Sequence, residues 1–87
     1  MKLKYEFETV ELDGEIMAVP VGDNARELHS LLRLNETAAD ILELLRTETD
    51  AEAVTDALLE KYTGEREEIT AYVREYLAQL AEMGVVE

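Results

Sequence analysis

The stretch YEFETVELDGEIMAVPV, residues 5–21, decides the first half of the fold. Asp13-Gly14 stands between two runs that are rich in β-branched and aromatic residues, 5–12 and 15–21. An Asp-Gly pair readily adopts the two positive φ angles of a type I′ turn, so the two runs are predicted to pair as an antiparallel hairpin. Pro20 lacks an amide hydrogen and therefore predicts either the end of the second strand or a position that faces solvent.

The apolar residues of the first run do not alternate regularly. Tyr5 and Phe7 share one strand parity, whereas Val10 and Leu12 share the other. A β-bulge near Thr9 and Val10 would bring all four side chains to one face of the sheet. We take this bulge as a hypothesis, which an unbroken pairing through the two residues would contradict.

The segment that follows the hairpin is ambiguous. Gly22-Asp23-Asn24 predicts a turn, and apolar residues of segment 27–34 then fall on both strand parities. We interpret 27–34 as a third strand, with an irregular connector as the alternative. Either parity of this strand could face the core.

From Asn35 onward the pattern is helical. Asn35 is predicted to cap a first helix, and Thr49 to open a capping box with Glu52 at the start of a second. A third helix is expected over residues 65–83 and ends at Gly84. The apolar stripe of the first helix consists of Ala38, Ile41, Leu42 and Leu45, and that of the second of Ala51, Val54, Leu58 and Tyr62.

The stripe of the third helix is wider than one packed face requires: Ile69, Tyr72, Val73, Tyr76, Leu77, Leu80 and Met83. Tyr72 and Tyr76 are either core aromatics or the lining of a groove, since tyrosine suits a surface that is apolar at one end and wet at the other. The element order is β-β-β-α-α-α, an α+β fold. We expect one domain over residues 1–87, with a sheet part (1–34) and a three-helix part (35–87).

Composition narrows the functional classes. The 87 residues contain no cysteine and 21 acidic against 8 basic residues, a net charge of −13. Residues 35–87 carry fourteen acids and four bases, a net charge of −10. Such a surface repels phosphate backbones, so nucleic acid is not an expected partner. No signal peptide or membrane-spanning apolar run is apparent, and a cytoplasmic protein without a membrane partner is expected.

The sequence contains few residues that could take part in catalysis. His29 is the only histidine and is interpreted as a surface or half-buried residue. The glycines are isolated, so no phosphate-binding loop is present, and the acidic turn Glu65-Arg66-Glu67-Glu68 is interpreted as a solvated helix start. We therefore expect no enzyme activity, no metal site and no cofactor.

Two stretches resemble the PqqD-like family, named for the pyrroloquinoline quinone biosynthesis protein D. They are RLNETAADILELL, residues 33–45, and LAQLAEMGVV, residues 77–86. The resemblance covers essentially the whole chain, although Leu42 stands where many relatives have tryptophan. It implies a winged helix-turn-helix-like domain that binds the leader of a ribosomally made precursor peptide and delivers it to a modifying enzyme, often a radical S-adenosylmethionine enzyme.

The same resemblance implies where the peptide binds. The leader adds a strand to the edge formed by residues 27–34, and its side chains fill a groove beside the third helix. The peptide-binding residues expected from this are Leu28, His29, Ser30, Leu31, Leu32, Arg33, Val73, Tyr76, Leu77 and Leu80. Leaders that carry lysine or arginine near the groove should be favoured by the acidic helical half.

Two other classes of function stay open on the sequence. A winged-helix regulator could bind DNA, although its third helix has only Arg66 and Arg74 against five glutamates. A structural adaptor could instead use the same strand edge to form a homodimer, because an exposed edge invites pairing with a second copy.

Overall fold

The computed structural model describes residues 1–22 and 32–87. The element order β-β-β-α-α-α and the α+β class are as predicted. The strands are β1 (Phe7–Leu12), β2 (Glu15–Pro20) and β3 (Leu32–Leu34), and the helices are α1 (Glu36–Leu44), α2 (Ala51–Lys61) and α3 (Arg66–Met83). The strands form one antiparallel sheet in the order β1-β2-β3, so β1 and β3 are its edges.

The predicted hairpin is confirmed. Asp13 and Gly14 both have positive φ angles, 52° and 80°, as a type I′ turn requires. β2 ends at Pro20. Because the turn contains only two residues, it fixes the β1–β2 register directly.

The bulge hypothesis is wrong. Thr9 pairs with Ala18 and Val10 with Met17, without a break in the register. Regular alternation places Val10 and Leu12 on the sheet face away from Phe7, and Leu12 is 56% exposed. Phe7 is the residue through which β1 joins the core, because the helices cover only the face on which it lies.

β3 is described only in part, since residues 27–31 of the predicted strand lie outside the described residues. Leu32 and Leu34 are buried, and Arg33 between them is exposed. The parity that the sequence left open is therefore fixed for this part of the strand. Asp23 and Asn24 of the predicted turn also lie outside the described residues.

The helix caps follow the sequence in one case and depart from it in another. Asn35 caps α1, because its side chain accepts a hydrogen bond from the Ala38 amide at 2.8 Å. The capping box at Thr49 is wrong: Asp50 is the N-cap of α2 and accepts from Ala53 at 2.8 Å. The Thr49 amide instead donates to the Met1 carbonyl at 2.9 Å. The amide that the capping box would pair with Glu52 is therefore bonded to the N-terminal segment.

The N-terminal segment is held on two sides. The Leu3 amide donates to the Leu45 carbonyl at 2.8 Å, and the Lys4 amide donates to the Val85 carbonyl at 2.8 Å. Leu3 also forms an isolated antiparallel bridge with Val86. These contacts join the beginning of the chain to the end of α1 and to the residues that follow α3.

The core lies between the sheet and the helices. It contains the whole predicted α1 stripe, and α3 contributes Val73, Leu77 and Leu80. The described buried apolar residues are Phe7, Ala18, Leu32, Leu34, Ala38, Ile41, Leu42, Leu45, Val54, Leu58, Val73, Leu77, Leu80 and Val85. Within residues 1–22 and 32–87, none of the helices combines the length and apolar character that crossing a bilayer requires.

Candidate functional site

The backbone register shows which strand groups are already used within the sheet. The Val21 amide donates to the Glu6 carbonyl at 3.0 Å, in the same register as the β1–β2 pairs. In an antiparallel sheet, hydrogen-bonded and non-hydrogen-bonded pairs alternate. The backbone N–H and C=O groups of Ile16 and Ala18 therefore point away from β1. They point toward the paired residues on β3, Leu34 and Leu32.

Arg33 lies between these two bonded pairs, opposite Met17. By the same alternation, its backbone N–H and C=O point away from β2, toward the outer side of β3. In the part of the chain that the structure describes, no backbone group outside the sheet bonds to Arg33. These two groups form the hydrogen-bonding edge of β3.

The edge of β1 differs because a side chain already binds one of its carbonyls. By the same alternation, the backbone N–H and C=O groups of Phe7, Thr9 and Glu11 point away from β2. Arg46, just after α1, donates from Nη2 to the Phe7 carbonyl at 2.9 Å. Its Nε also donates to Glu43 at 2.8 Å, which orients the guanidinium.

Two tyrosines of α3 lie near the end of β3. The rings of Tyr72 and Tyr76 are stacked, with centroids 6.4 Å apart and planes 15° apart. The Asn35 side chain, which follows β3 directly and caps α1, donates from Nδ2 to the Tyr72 hydroxyl at 3.2 Å. This hydrogen bond connects the tyrosine pair to the end of the strand.

The two tyrosines differ in environment. Tyr72 is 37% exposed, whereas Tyr76 is half-buried against the core. Burial raises the pKa of Tyr76 to about 12, and the neighbouring Tyr72 acts in the same direction. Tyr76 is therefore neutral at physiological pH and offers an uncharged aromatic surface.

A cavity of about 280 Å³ opens beside this tyrosine contact. It lies between the start of α1, the end of α2 and the start of α3, and Asn35 and Tyr72 form one wall. Tyr62 contributes to the lining, and its hydroxyl donates to Asp40, a hydrogen bond that raises the pKa of Tyr62. The other lining residues are Thr37, Leu58, Thr63 and Ile69.

The structure separates the predicted site residues into three groups. Arg33 and Tyr76 have surface that a ligand can reach, whereas Leu32 and the other predicted residues of α3 lie in the core. Leu28, His29, Ser30 and Leu31 lie outside the described residues. The core group comprises Leu32, Val73, Leu77 and Leu80.

The sequence did not indicate the contact between Asn35 and Tyr72. Asn35 was recognised only as a helix cap, a role that uses its side-chain oxygen. An asparagine also has an amide group with two donors, which serine or aspartate caps lack. That spare donor is the signal in the sequence that could have suggested a second partner.

The chain is similar to known proteins in its family model and in its structure. The family model described as Coenzyme PQQ synthesis protein D (PqqD) matches residues 22–86. Among curated proteins, no significant match is found. The chain is similar in structure to "TbiB1 in Complex with the TbiA(beta) Leader Peptide", with a TM-score of 0.75 and 21% identity over 100% of this chain and 95% of that chain.

Proposed function

Because the chain belongs to the PqqD family, we propose that it is a non-catalytic domain that binds the leader of a ribosomally made precursor peptide. The observation that carries this proposal is the outer edge of β3, where the N–H and C=O of Arg33 point away from the sheet and bond to no described backbone group outside it. The similar structure of TbiB1, determined with the TbiA(β) leader peptide, supports it.

The mode of binding is strand addition. An extended leader forms main-chain hydrogen bonds with the outward groups of β3, and its alternate side chains point to opposite faces of the enlarged sheet. Side chains on the helix-covered face meet the exposed surface of Tyr72 and Tyr76. The buried residues Val73, Leu77 and Leu80 support this surface from behind.

The charge of the domain favours basic leaders overall. Residues 35–87 have a net charge of −10 and provide the helices beside the edge. Lysine or arginine in the leader therefore accelerates association and favours correct partners over acidic ones. For a domain that must release its peptide, a Kd on the order of micromolar is suitable, about −8 kcal/mol.

Delivery requires a second partner. The bound leader holds the rest of the precursor near a modifying enzyme, which we propose, on the family resemblance, to be a radical S-adenosylmethionine enzyme. The domain supplies binding and proximity rather than a reacting group. Without peptide, the same β3 edge can pair with a second copy, and leader binding would then dissociate this homodimer.

The experiment compares proline substitutions at the two sheet edges. Arg33→Pro removes an outward N–H without removing a β2–β3 hydrogen bond, and Thr9→Pro does the same on β1. Arg33→Ala controls for the loss of charge. Isotope-labelled protein is titrated with a panel of leader peptides that includes the TbiA(β) leader, and the amide shifts are followed by NMR.

We expect at least one leader to shift the amides of residues 32–34 and the signals of Tyr72 and Tyr76. Arg33→Pro should weaken that binding about tenfold or more, since it removes a hydrogen bond and leaves the peptide acceptor unpaired. Thr9→Pro should bind as tightly as the unchanged protein. If no leader in the panel binds, or if Thr9→Pro weakens binding as much as Arg33→Pro, the proposal is wrong.

A further inference from the structure

Arg33 is the only basic residue in the three strands as the structure describes them. The acidic residues of these strands are Glu8, Glu11 and Glu15. In a chain with a net charge of −13, this places one positive charge on the described part of the edge that is proposed to receive the leader. The position of this charge suggests a role in choosing the peptide.

The side chain of Arg33 is available for a new partner. Its side chain is 80% exposed and lies on the solvent face of the sheet, opposite Met17. Its ion-pair contact is with Glu15 at 3.9 Å, and Glu15 is itself 57% exposed. An exposed pair at this distance contributes little stability, so a closer carboxylate can capture the guanidinium.

We propose that Arg33 selects leaders that place an aspartate or glutamate beside it on the added strand. This inference rests on the proposed function. Neighbouring residues of paired strands have their side chains on the same face, so the side chain next to Arg33 lies on the solvent face in either strand direction. The two flanking leader residues then point to the helix-covered face, where apolar side chains fit.

The predicted motif is therefore a carboxylate between two apolar residues. It also fixes the register of the leader. Main-chain hydrogen bonds alone tolerate a slip along an edge, but a slip by one residue moves every side chain to the opposite face. In a slipped register, the carboxylate would leave Arg33, and the apolar residues would face solvent.

The experiment uses a random peptide library displayed on phage as the probe. Peptides are selected separately on the unchanged protein, on Arg33→Glu, and on Glu8→Lys. Glu8 lies on the same sheet face but on the far strand β1, so Glu8→Lys controls for a change in net charge. Each selected peptide is then tested on Arg33→Pro. Peptides that bind this variant at least about tenfold more weakly than the unchanged protein are taken to use the β3 edge.

The unchanged protein and Glu8→Lys should both enrich apolar–acidic–apolar peptides, whereas Arg33→Glu should enrich a lysine or arginine at the central position. A peptide carrying glutamate there should bind Arg33→Glu about threefold to tenfold more weakly than the unchanged protein, as expected for a cross-strand charge pair made repulsive. If the peptides that use the β3 edge have the same central residue after selection on the unchanged protein and on Arg33→Glu, the inference about Arg33 fails while strand addition stands. If no selected peptide depends on the β3 edge, the proposed function fails.

Discussion

The two edges of the sheet have the same backbone chemistry but different neighbours. On β1, the carbonyl of Phe7 already accepts a hydrogen bond from Arg46 at 2.9 Å. On β3, the outward N–H and C=O of Arg33 have no backbone partner outside the sheet among the described residues. The tyrosine pair of α3 lies near the end of this strand. An edge carbonyl that already has a hydrogen-bond partner is less open to pairing with another strand.

Within the described residues, a single side chain makes the difference between the two edges. Exposed edges are a liability because any extended chain can pair with them. Arg46, just after α1, gives the Phe7 carbonyl a partner, whereas no described backbone group outside the sheet bonds to the outward N–H and C=O of Arg33. Substitutions at the two edges and at the neighbouring tyrosine pair separate these contributions, beginning with the largest expected effect.

The edges are anchored to the helices in different ways. β1 joins the core through Phe7, whereas β3 joins it through both Leu32 and Leu34. Phe7→Ala should lower the free energy of unfolding by about 3–5 kcal/mol, and Leu32→Ala by about 2–3 kcal/mol because Leu34 remains. Denaturant unfolding measures both values, and a larger loss for Leu32→Ala would show that β3 is the more strongly anchored edge.

The contact between Asn35 and Tyr72 can be separated from helix capping. Asn35→Ala removes the cap of α1 and the bond to Tyr72, and should lower the free energy of unfolding by about 1–2 kcal/mol. Asp50→Ala removes only the cap of α2 and should cost about 1 kcal/mol. Equal losses measured by denaturant unfolding would mean that the tyrosine contact adds nothing.

Tyr76 should make stability fall at high pH. Its folded pKa of about 12 lies above the unfolded value near 10, so the folded state holds the proton more tightly. Its contribution is complete below about pH 10 and is lost as the pH rises through about 12, a change of roughly 1 kcal/mol after solvent screening. Denaturant unfolding at several pH values, with Tyr76→Phe as control, tests this. If the free energy of unfolding of Tyr76→Phe falls with pH as steeply as that of the unchanged protein, Tyr76 is not the source of the loss.

Opening the β1 edge should have the smallest effect on stability. Arg46→Met keeps most of the apolar stem but removes the hydrogen bond to Phe7, and should cost about 0.5–1 kcal/mol. The freed carbonyl should also increase self-association through β1. Sedimentation at increasing protein concentration measures this, and an unchanged monomer fraction would mean that Arg46 does not protect the edge.

Local chemistry made much of the fold predictable. Asp13-Gly14, the Asn35 cap and the α1 stripe are each determined by residues close in sequence, and all are confirmed. The bulge at Thr9–Val10 was wrong because it assumed that every apolar residue of β1 is needed in the core. The Thr49 cap was wrong because a partner 48 residues away, Met1, takes its amide hydrogen.

The candidate site was predictable only in outline. The edge strand and the third helix follow from the element order, and Arg33 and Tyr76 are reachable from solvent. The width of the α3 stripe did not distinguish the buried Val73 and Leu77 from the surface Tyr72, because exposure depends on how the helix is rotated against the sheet. Strand parity likewise required the register with β2.

The bridge between Leu3 and Val86 brings the first and last residues of the fold together. A short linker can therefore close the chain into a ring, with new ends cut elsewhere, for example in the Asp13-Gly14 turn. Equally, the domain can be spliced into a surface loop of a host enzyme, because its entry and exit points are adjacent. Such a graft would hold the domain beside the host enzyme's active site at a high effective concentration.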